Sequence, residues 1–296
     1  MRRGVSRTAV VVVAAVLVMS AAVASPVAAK KRKIDVRPGP NAITQALARA
    51  DKGDVLRLHG RRYREAVTIE ESVKIVGVGK RRPLIDGECE TSLTIAVRAD
   101  NVRLKRLAVR GADGGPFPTE VDFRGVSGGR ANNLAVRDTC DAEYGINVFD
   151  TGPVTIVGSS ARGFDDAGFY VGQVTRTPGG RVRVAQSESL GNHRGVIVEN
   201  SAGGEIVVEQ SFIHDNRVPI EGSTPTGVFI NNSDGVRVLE NEIARNEIGL
   251  ELSPNSDRNS AVFNRLLDNT VDIRNQGTGN CGTDNAFSTG DALPPC

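Results

Sequence analysis

The chain has 296 residues, 33 glycines, 4% aromatic residues and no tryptophan, which suits closely spaced turns and argues against a globular aromatic core. Setting aside residues 1–29, with three arginines and no acid, takes the formal charge from +2 to −1, so nothing in the charge favours a nucleic-acid partner. Four cysteines in a chain with an export leader point to two disulfides, with three pairings open.

Residues 1–29 carry the marks of a signal peptide: Arg2, Arg3 and Arg7, the apolar run Ala9–Met19, and small residues ending at Ala24 or Ala29. The run is too short for a membrane anchor, so no span is expected after its removal. The expected location is therefore secreted, either extracellular or in the cell envelope. After the basic start Lys30–Lys33, Ile43, Ala46, Leu47 and Ala50 fall on one helical face within Ala42–Ala50. This short helix is predicted to cap the open end of whatever follows, where core and strand edges would otherwise meet water.

Strand-like runs follow at Val73–Val78, Leu84–Gly87, Leu93–Val97 and Val102–Val109, and then a glycine- and proline-rich loop, Gly111–Pro118. Regular repeats run from Leu134 to Ile273. Gly145, Gly168, Gly195, Gly227 and Gly249 each open a phrase with apolar second and fourth residues, at intervals of 23, 27, 32 and 22. Self-similarity at this period marks a solenoid. Apolar alternation at Val182/Val184, Ile206/Val208 and Val236/Val238 makes it a solenoid of strands. The longest interval holds an insertion, Arg217–Thr226, with Pro219 and Pro225. Asn192, Asn216, Asn246 and Asn269, with Asp165 one coil earlier, are predicted to form a corner ladder. The solenoid is assigned to residues 30–275 and a closing tail to 276–296. Cys281 and Cys296 bracket that tail and are expected to pair, which leaves Cys89 with Cys140.

Equivalent residues of stacked coils lie about 4.8 Å apart, so a site can be assembled across repeats. Outward third and fifth positions of the glycine phrases give Asn147, Phe149, Tyr170, Ile197, Glu199, Phe229 and Asn231. This apolar stripe with a polar margin is a candidate substrate-binding surface for sugar rings. In the turns before the glycines, Asp166 and His193 match in position and Arg194 follows, which makes these three the candidate catalytic residues.

With these glycine phrases and the asparagine ladder, the sequence resembles the right-handed parallel β-helix family, the pectin-lyase-like superfamily, over roughly residues 36–275. The resemblance implies an all-β, single-stranded right-handed parallel β-helix. Of the polygalacturonase-like motifs only an echo of the aspartate pair survives, at Asp165-Asp166, and the Asp-Pro-His-Asp motif of alginate-epimerase-like members is absent. Pectate-lyase-like members use a calcium cluster; here Glu143, Asp165 and Asp166, beside Arg194, are the acids that would stand in for it, and calcium is the one cofactor considered. A copper-associated branch is disfavoured, since the mature chain has no methionine and only His59, His193 and His214. Asp165–Gln173 and Gly191–Ser201 are most similar to a secreted bacterial subgroup for which no activity is implied. The reading is a monomeric secreted protein that binds an extracellular polysaccharide, with catalysis left open and, if it modifies the polymer, a lyase or epimerase reaction favoured over a hydrolase one. The alternative is a non-catalytic scaffold.

Overall fold

A computed structural model describes residues 31–174 and 181–296, and the leader assigned to residues 1–29 lies outside them. Residues 31–296 form one compact unit. Among the described residues, three parallel sheets of 11, 9 and 9 strands run along the solenoid, and each coil contributes one strand to each sheet. This is the expected all-β right-handed parallel β-helix.

The long sheet runs from Lys33–Val36 through Arg103–Lys105 and Gly129–Asn132 to Cys281–Thr283. A second sheet, called here the arginine sheet, includes Leu84–Thr91, Ala108–Ala112, Ala135–Arg137, Ser160–Arg162 and Glu188–Leu190. The third, the glycine sheet, includes Thr119–Arg124, Tyr144–Phe149, Ala167–Gly172, Arg194–Glu199, Thr226–Asn231 and Ile248–Leu252. Val102–Val109, expected as a single run, divides at Arg106, whose positive φ of 59° turns the chain from the long sheet into the arginine sheet. Asn133, Gln186, Gln210 and Glu240 make the same left-handed corner in later coils.

Inward residues of all three sheets fill one continuous apolar core, from Leu56 and Ile75 through Val148 and Val198 to Leu266 and Ile273. The capping helix spans Ala42–Leu47, shorter than expected, and buries Ile43 and Ala46 against that core. Glu65 holds its start by accepting from the Ile43 and Thr44 backbone N–H groups at 2.9 and 3.0 Å. The winding continues past residue 275, because Cys281–Thr283 pairs with Ser260–Val262 as the last strand of the long sheet.

Glycine column and asparagine ladder prove to be one feature. Tyr144, Ala167, Arg194, Thr226 and Ile248 are register partners, so the glycine after each lies in a single column. A Cβ on Gly168, Gly195, Gly227 or Gly249 would lie 2.8–2.9 Å from the side-chain amide nitrogen of Asn192, Asn216, Asn246 or Asn269 respectively. The glycines make room for the ladder. Asn216 Oδ1 accepts from both the backbone and the amide of Asn192, at 3.2 and 2.9 Å, and Asn246 and Asn269 repeat the arrangement. Asn192 Oδ1 takes its backbone bond from Phe164, not Asp165. Phe164 therefore fills the ladder position one coil earlier, fully buried, while Asp165 points to solvent. A second ladder, unforeseen, joins Ser159, Ser187, Ser211, Asn241 and Asn264 at the corner before the arginine sheet.

Both expected disulfides are present. Cys281–Cys296 closes the tail. Cys89–Cys140 joins chain segments two coils apart, with Cα atoms 5.8 Å from each other. That reach is possible because the register slips between Asp86 and Thr91, where Glu88 and Cys89 take positive φ.

Candidate functional site

Two excursions from the coils frame the outer face of the glycine sheet. Residues 113–118 lead into Thr119–Arg124, and residues 217–225 lead into Thr226–Asn231. The first is held from below by Glu120, which is fully buried: Oε1 accepts from the Gly111 and Ala112 N–H groups at 2.7 and 3.1 Å, and Oε2 from the Thr94 hydroxyl at 2.7 Å. Burial pushes this carboxyl up to about 7, against the opposing pull of its three donors.

The second excursion is held by His193. Its ring is buried, with Nδ1 2.5 Å from the Val218 carbonyl and Nε2 2.9 Å from Ser223 Oγ. A carbonyl only accepts, so Nδ1 carries the proton and Nε2 accepts from the serine hydroxyl. Burial, and then the Arg194 charge, lower the imidazole's pKa below its ordinary value. The expected Asp166–His193 pair is therefore not formed. Asp166 Oδ1 instead meets Arg194 Nη1 at 2.5 Å, and Arg194 also contacts Ser223 Oγ and lies over the Phe229 ring, 4.8 Å from its centroid. His193 is anchored under the insertion, and Asp166 and Arg194 face the cleft.

That cleft, of about 410 Å³, is lined by Pro118, Asp141, Glu143, Asp165, Asp166, Arg194, Ile220 and Ser223. Burial raises the pKa of Glu143, reinforced by the charges of Asp166 and Asp165. Asp165 is raised by burial and then by Asp138 and Asp141. Both carboxyls can hold a proton to higher pH and donate it to a hydroxyl or ether oxygen. The calcium cluster expected of Glu143, Asp165 and Asp166 is not assembled. They share the cleft, but among the described residues no three acidic, histidine or cysteine side chains are grouped to hold an ion.

Beside the cleft is a pocket of about 250 Å³ lined by Phe117, Arg124, Tyr144, Asn147, Phe149, Tyr170 and Gln173. The register places Asn147, Tyr170, Ile197 and Phe229 in one outward column, and Phe149, Glu199 and Asn231 in the next. The column is as expected, but much of it is covered: Tyr170 is 8% exposed and Ile197 3%, packed with Tyr144 and Ala167 and flanked by Phe149 and Phe229. Glu199 is already engaged, accepting from the Tyr170 hydroxyl at 2.6 Å and the Asn231 amide at 2.7 Å. Burial raises both the Tyr144 and Tyr170 phenols, so neither is a ready proton acceptor.

Phe117, 57% exposed, and Tyr144, its ring centroid 4.7 Å from that of Tyr170, complete the pocket. Sequence reasoning missed both, although Tyr144 directly precedes a column glycine. Two buried polar atoms without a protein partner belong to this groove, Asn147 Oδ1 and Arg194 Nε. Asn147 gives its amide nitrogen to Asp122 Oδ1 at 2.5 Å, which leaves its oxygen as a free acceptor.

A family model described as "Periplasmic copper-binding protein (NosD)" matches residues 103–292, nearly two thirds of the chain. The chain belongs to the NosD family. Among solved structures, pectate lyase Pel9A is similar at a TM-score of 0.65 and 15% identity, over 88% of this chain and 78% of that one. Alginate lyase from Paenibacillus sp. str. FPU-7 is similar at 0.57 and 13%, over 90% of this chain and 99% of that one. The GH136 lacto-N-biosidase from Eubacterium ramulus is similar at 0.52 and 10%, over 84% and 62%. At such identities the likeness is one of fold. No curated protein matches the chain by sequence.

The copper in the NosD family's description does not fit the donors of this chain. His59 bonds Asp35, His193 is buried under the insertion, and His214 on the arginine sheet is engaged by Asp215 and Glu188. All four cysteines are in disulfides, and both methionines fall within residues 1–29. A soft metal has no thiolate or thioether here, and the imidazoles occupy three separate places. The disulfides fit an oxidising compartment, as does the periplasmic description of the NosD family. Among the described residues no helix is long and apolar enough to cross a membrane.

Proposed function

We propose that this β-helix binds an extracellular or periplasmic polysaccharide in the groove between residues 113–118 and 217–225. The observation that carries the reading is a pocket walled by Phe117, Tyr144, Phe149 and Tyr170, whose lining includes Asn147 with its buried Oδ1 unpartnered by the protein. Sugar rings stack their C–H faces on such rings and present hydroxyl donors at their rims. The carbohydrate names of the structural neighbours support the same class of ligand.

Asp141, Glu143, Asp165 and Asp166 line the adjoining cleft against one cation, Arg194, already held by Asp166. Carboxylates accept well from sugar hydroxyls but repel a uronate, so the groove suits neutral or amino sugars better than the acidic polymers a lyase or epimerase would use. A binding role is favoured over modification, because His193, Glu199 and Asp166 spend their polar atoms on the protein itself.

The test is affinity electrophoresis of the purified protein in gels of neutral, amino and uronate polysaccharides, with and without calcium. Retention by a neutral or amino polymer is expected. Phe117→Ala, at an exposed position, is expected to weaken it roughly tenfold with unchanged melting temperature. No retention anywhere sinks the reading, and an absorbance rise from unsaturated products would replace binding with elimination.

A further inference from the structure

Arg110, Arg137 and Arg162 recur at intervals of 27 and 25 residues, the length of one coil. Each ends or lies near the end of its strand on the arginine sheet, where Arg137 is the register partner of Arg162, and Ala135 and Val136 are partners of Ala108 and Val109. The three guanidinium groups therefore follow one another along a single outward column. Beside them runs a column of small residues, Ala108, Ala135 and Ser160, ending at Glu188. Together they form an open trough of about 580 Å³, distinct from the groove on the glycine sheet.

Stacked like charges oppose pairing between adjacent strands, and they are usually relieved by an acid nearby. Arg110 has that relief: its Nε donates to Asp86 Oδ2 at 2.6 Å, and the same carboxylate oxygen lies 3.0 Å from Arg62 Nε. One carboxylate thus serves two guanidinium groups. One and two coils further on, Arg137 and Arg162 are exposed and, among the described residues, take part in no ion pair or side-chain hydrogen bond, in contrast to Arg110.

We propose that Arg137 and Arg162 bind an acidic glycan, a sugar carboxylate pairing with their guanidinium groups as the Asp86 carboxylate pairs with that of Arg110. The alanine floor admits the ring of the same sugar, and the Ser160 hydroxyl meets one of its hydroxyls. Guanidinium forks favour planar carboxylates through paired charge-assisted bonds, and coil stacking repeats the fork at a spacing of about 4.8 Å along a linear polymer. Charge complementarity selects the occupant, and the open trough leaves room for a long chain.

The test is calorimetric titration of the full protein with polygalacturonate, uncharged dextran, sulfated dextran and inorganic polyphosphate. Polygalacturonate is expected to bind and dextran not. Arg137→Gln with Arg162→Gln should weaken polygalacturonate roughly tenfold or more, and added salt should weaken the wild-type complex. The control is Arg103→Gln with Arg130→Gln, a pair stacked in the same way on the long sheet but flanked by Lys105 and Asn132 in place of alanines. It removes the same charge and should leave binding intact. Equal weakening by both pairs, binding of polyphosphate or sulfated dextran alone, or no binding of polygalacturonate would each overturn the proposal. Phe117→Ala should not alter this binding, so failure of the groove and failure of the trough are separately visible.

Discussion

The glycine sheet and the arginine sheet are wound from the same coils, yet their outer faces differ in kind. On the glycine sheet, residues 113–118 and 217–225 rise at the margins and bury what lies between. Tyr170 and Ile197 are nearly inaccessible, Glu143 is pushed above its ordinary pKa, and four acids share a cleft with one guanidinium. On the arginine sheet Arg137 and Arg162 remain exposed beside a floor of alanine and serine. A parallel β-helix supplies columns of side chains at fixed spacing on every face. Insertions at its corners decide which column becomes a desolvated groove and which remains a charged surface.

Both faces depend on the corner between them, where the asparagine ladder runs. Asn216 is fully buried, accepts twice from Asn192 and donates to the Ser189 carbonyl and Asn246 Oδ1. Asn216→Ala orphans several of these partners at once and is expected to cost about 3–4 kcal/mol. In a chain of this size that lowers the melting temperature by roughly 10 °C. Calorimetry should show one transition for both faces. Two separated transitions would mean that the faces are independent units and would break the comparison.

A smaller effect belongs to the glycine face alone. Glu120, under residues 113–118, has a carboxyl raised to about 7 from an ordinary 4.5. Between those values the folded protein binds more protons than the unfolded chain, so this group's contribution to stability declines as pH rises through that window. Glu120→Gln removes the titration while keeping an oxygen for the Gly111 and Ala112 N–H groups. The variant is expected to be more stable than wild type by about 2–3 kcal/mol at pH 8, the gap closing below about pH 5. Denaturant melts across that range would reveal it. A pH-independent gap would assign the difference to packing instead of charge.

The solenoid was legible because its physics is periodic. The glycine intervals and the asparagine ladder are two views of one packing constraint, and both survive in the sequence as spacing. The same spacing misled at one place. Counted from the glycines, Asp165 matches Asn192, but the chain gains a residue at that corner: Arg162 pairs with Leu190, 28 residues on, and Ala167 with Arg194, 27 residues on. Phe164, not Asp165, therefore stacks on the ladder. The direction of His193 was not legible because it depends on an aperiodic insertion, whose Val218 carbonyl and Ser223 hydroxyl capture the ring. Phe117 was missed for the same reason, since a loop residue has no partner in the next coil to mark it.

The smallest expected effect tests whether the insertion is what separates the two faces. Ser223 Oγ donates to neutral His193 Nε2 and receives Arg194, so one hydroxyl ties residues 217–225 to the acid-lined cleft. Ser223→Ala leaves the solenoid core untouched and is expected to release about 1 kcal/mol of local stability. Limited proteolysis within residues 217–225 should then quicken roughly fivefold with the melting temperature unchanged. Acid should mimic the substitution in the wild type. Because the folded imidazole titrates below its ordinary value, its contribution is complete above that value and is lost as pH falls through the depressed one, when protonated Nε2 can no longer accept the serine hydroxyl. The Arg137–Arg162 trough has no such cover to lose, so its glycan binding should not change in Ser223→Ala. If it did, the two faces would be coupled through the coil, and the insertion would be acting on the whole solenoid instead of on one side of it.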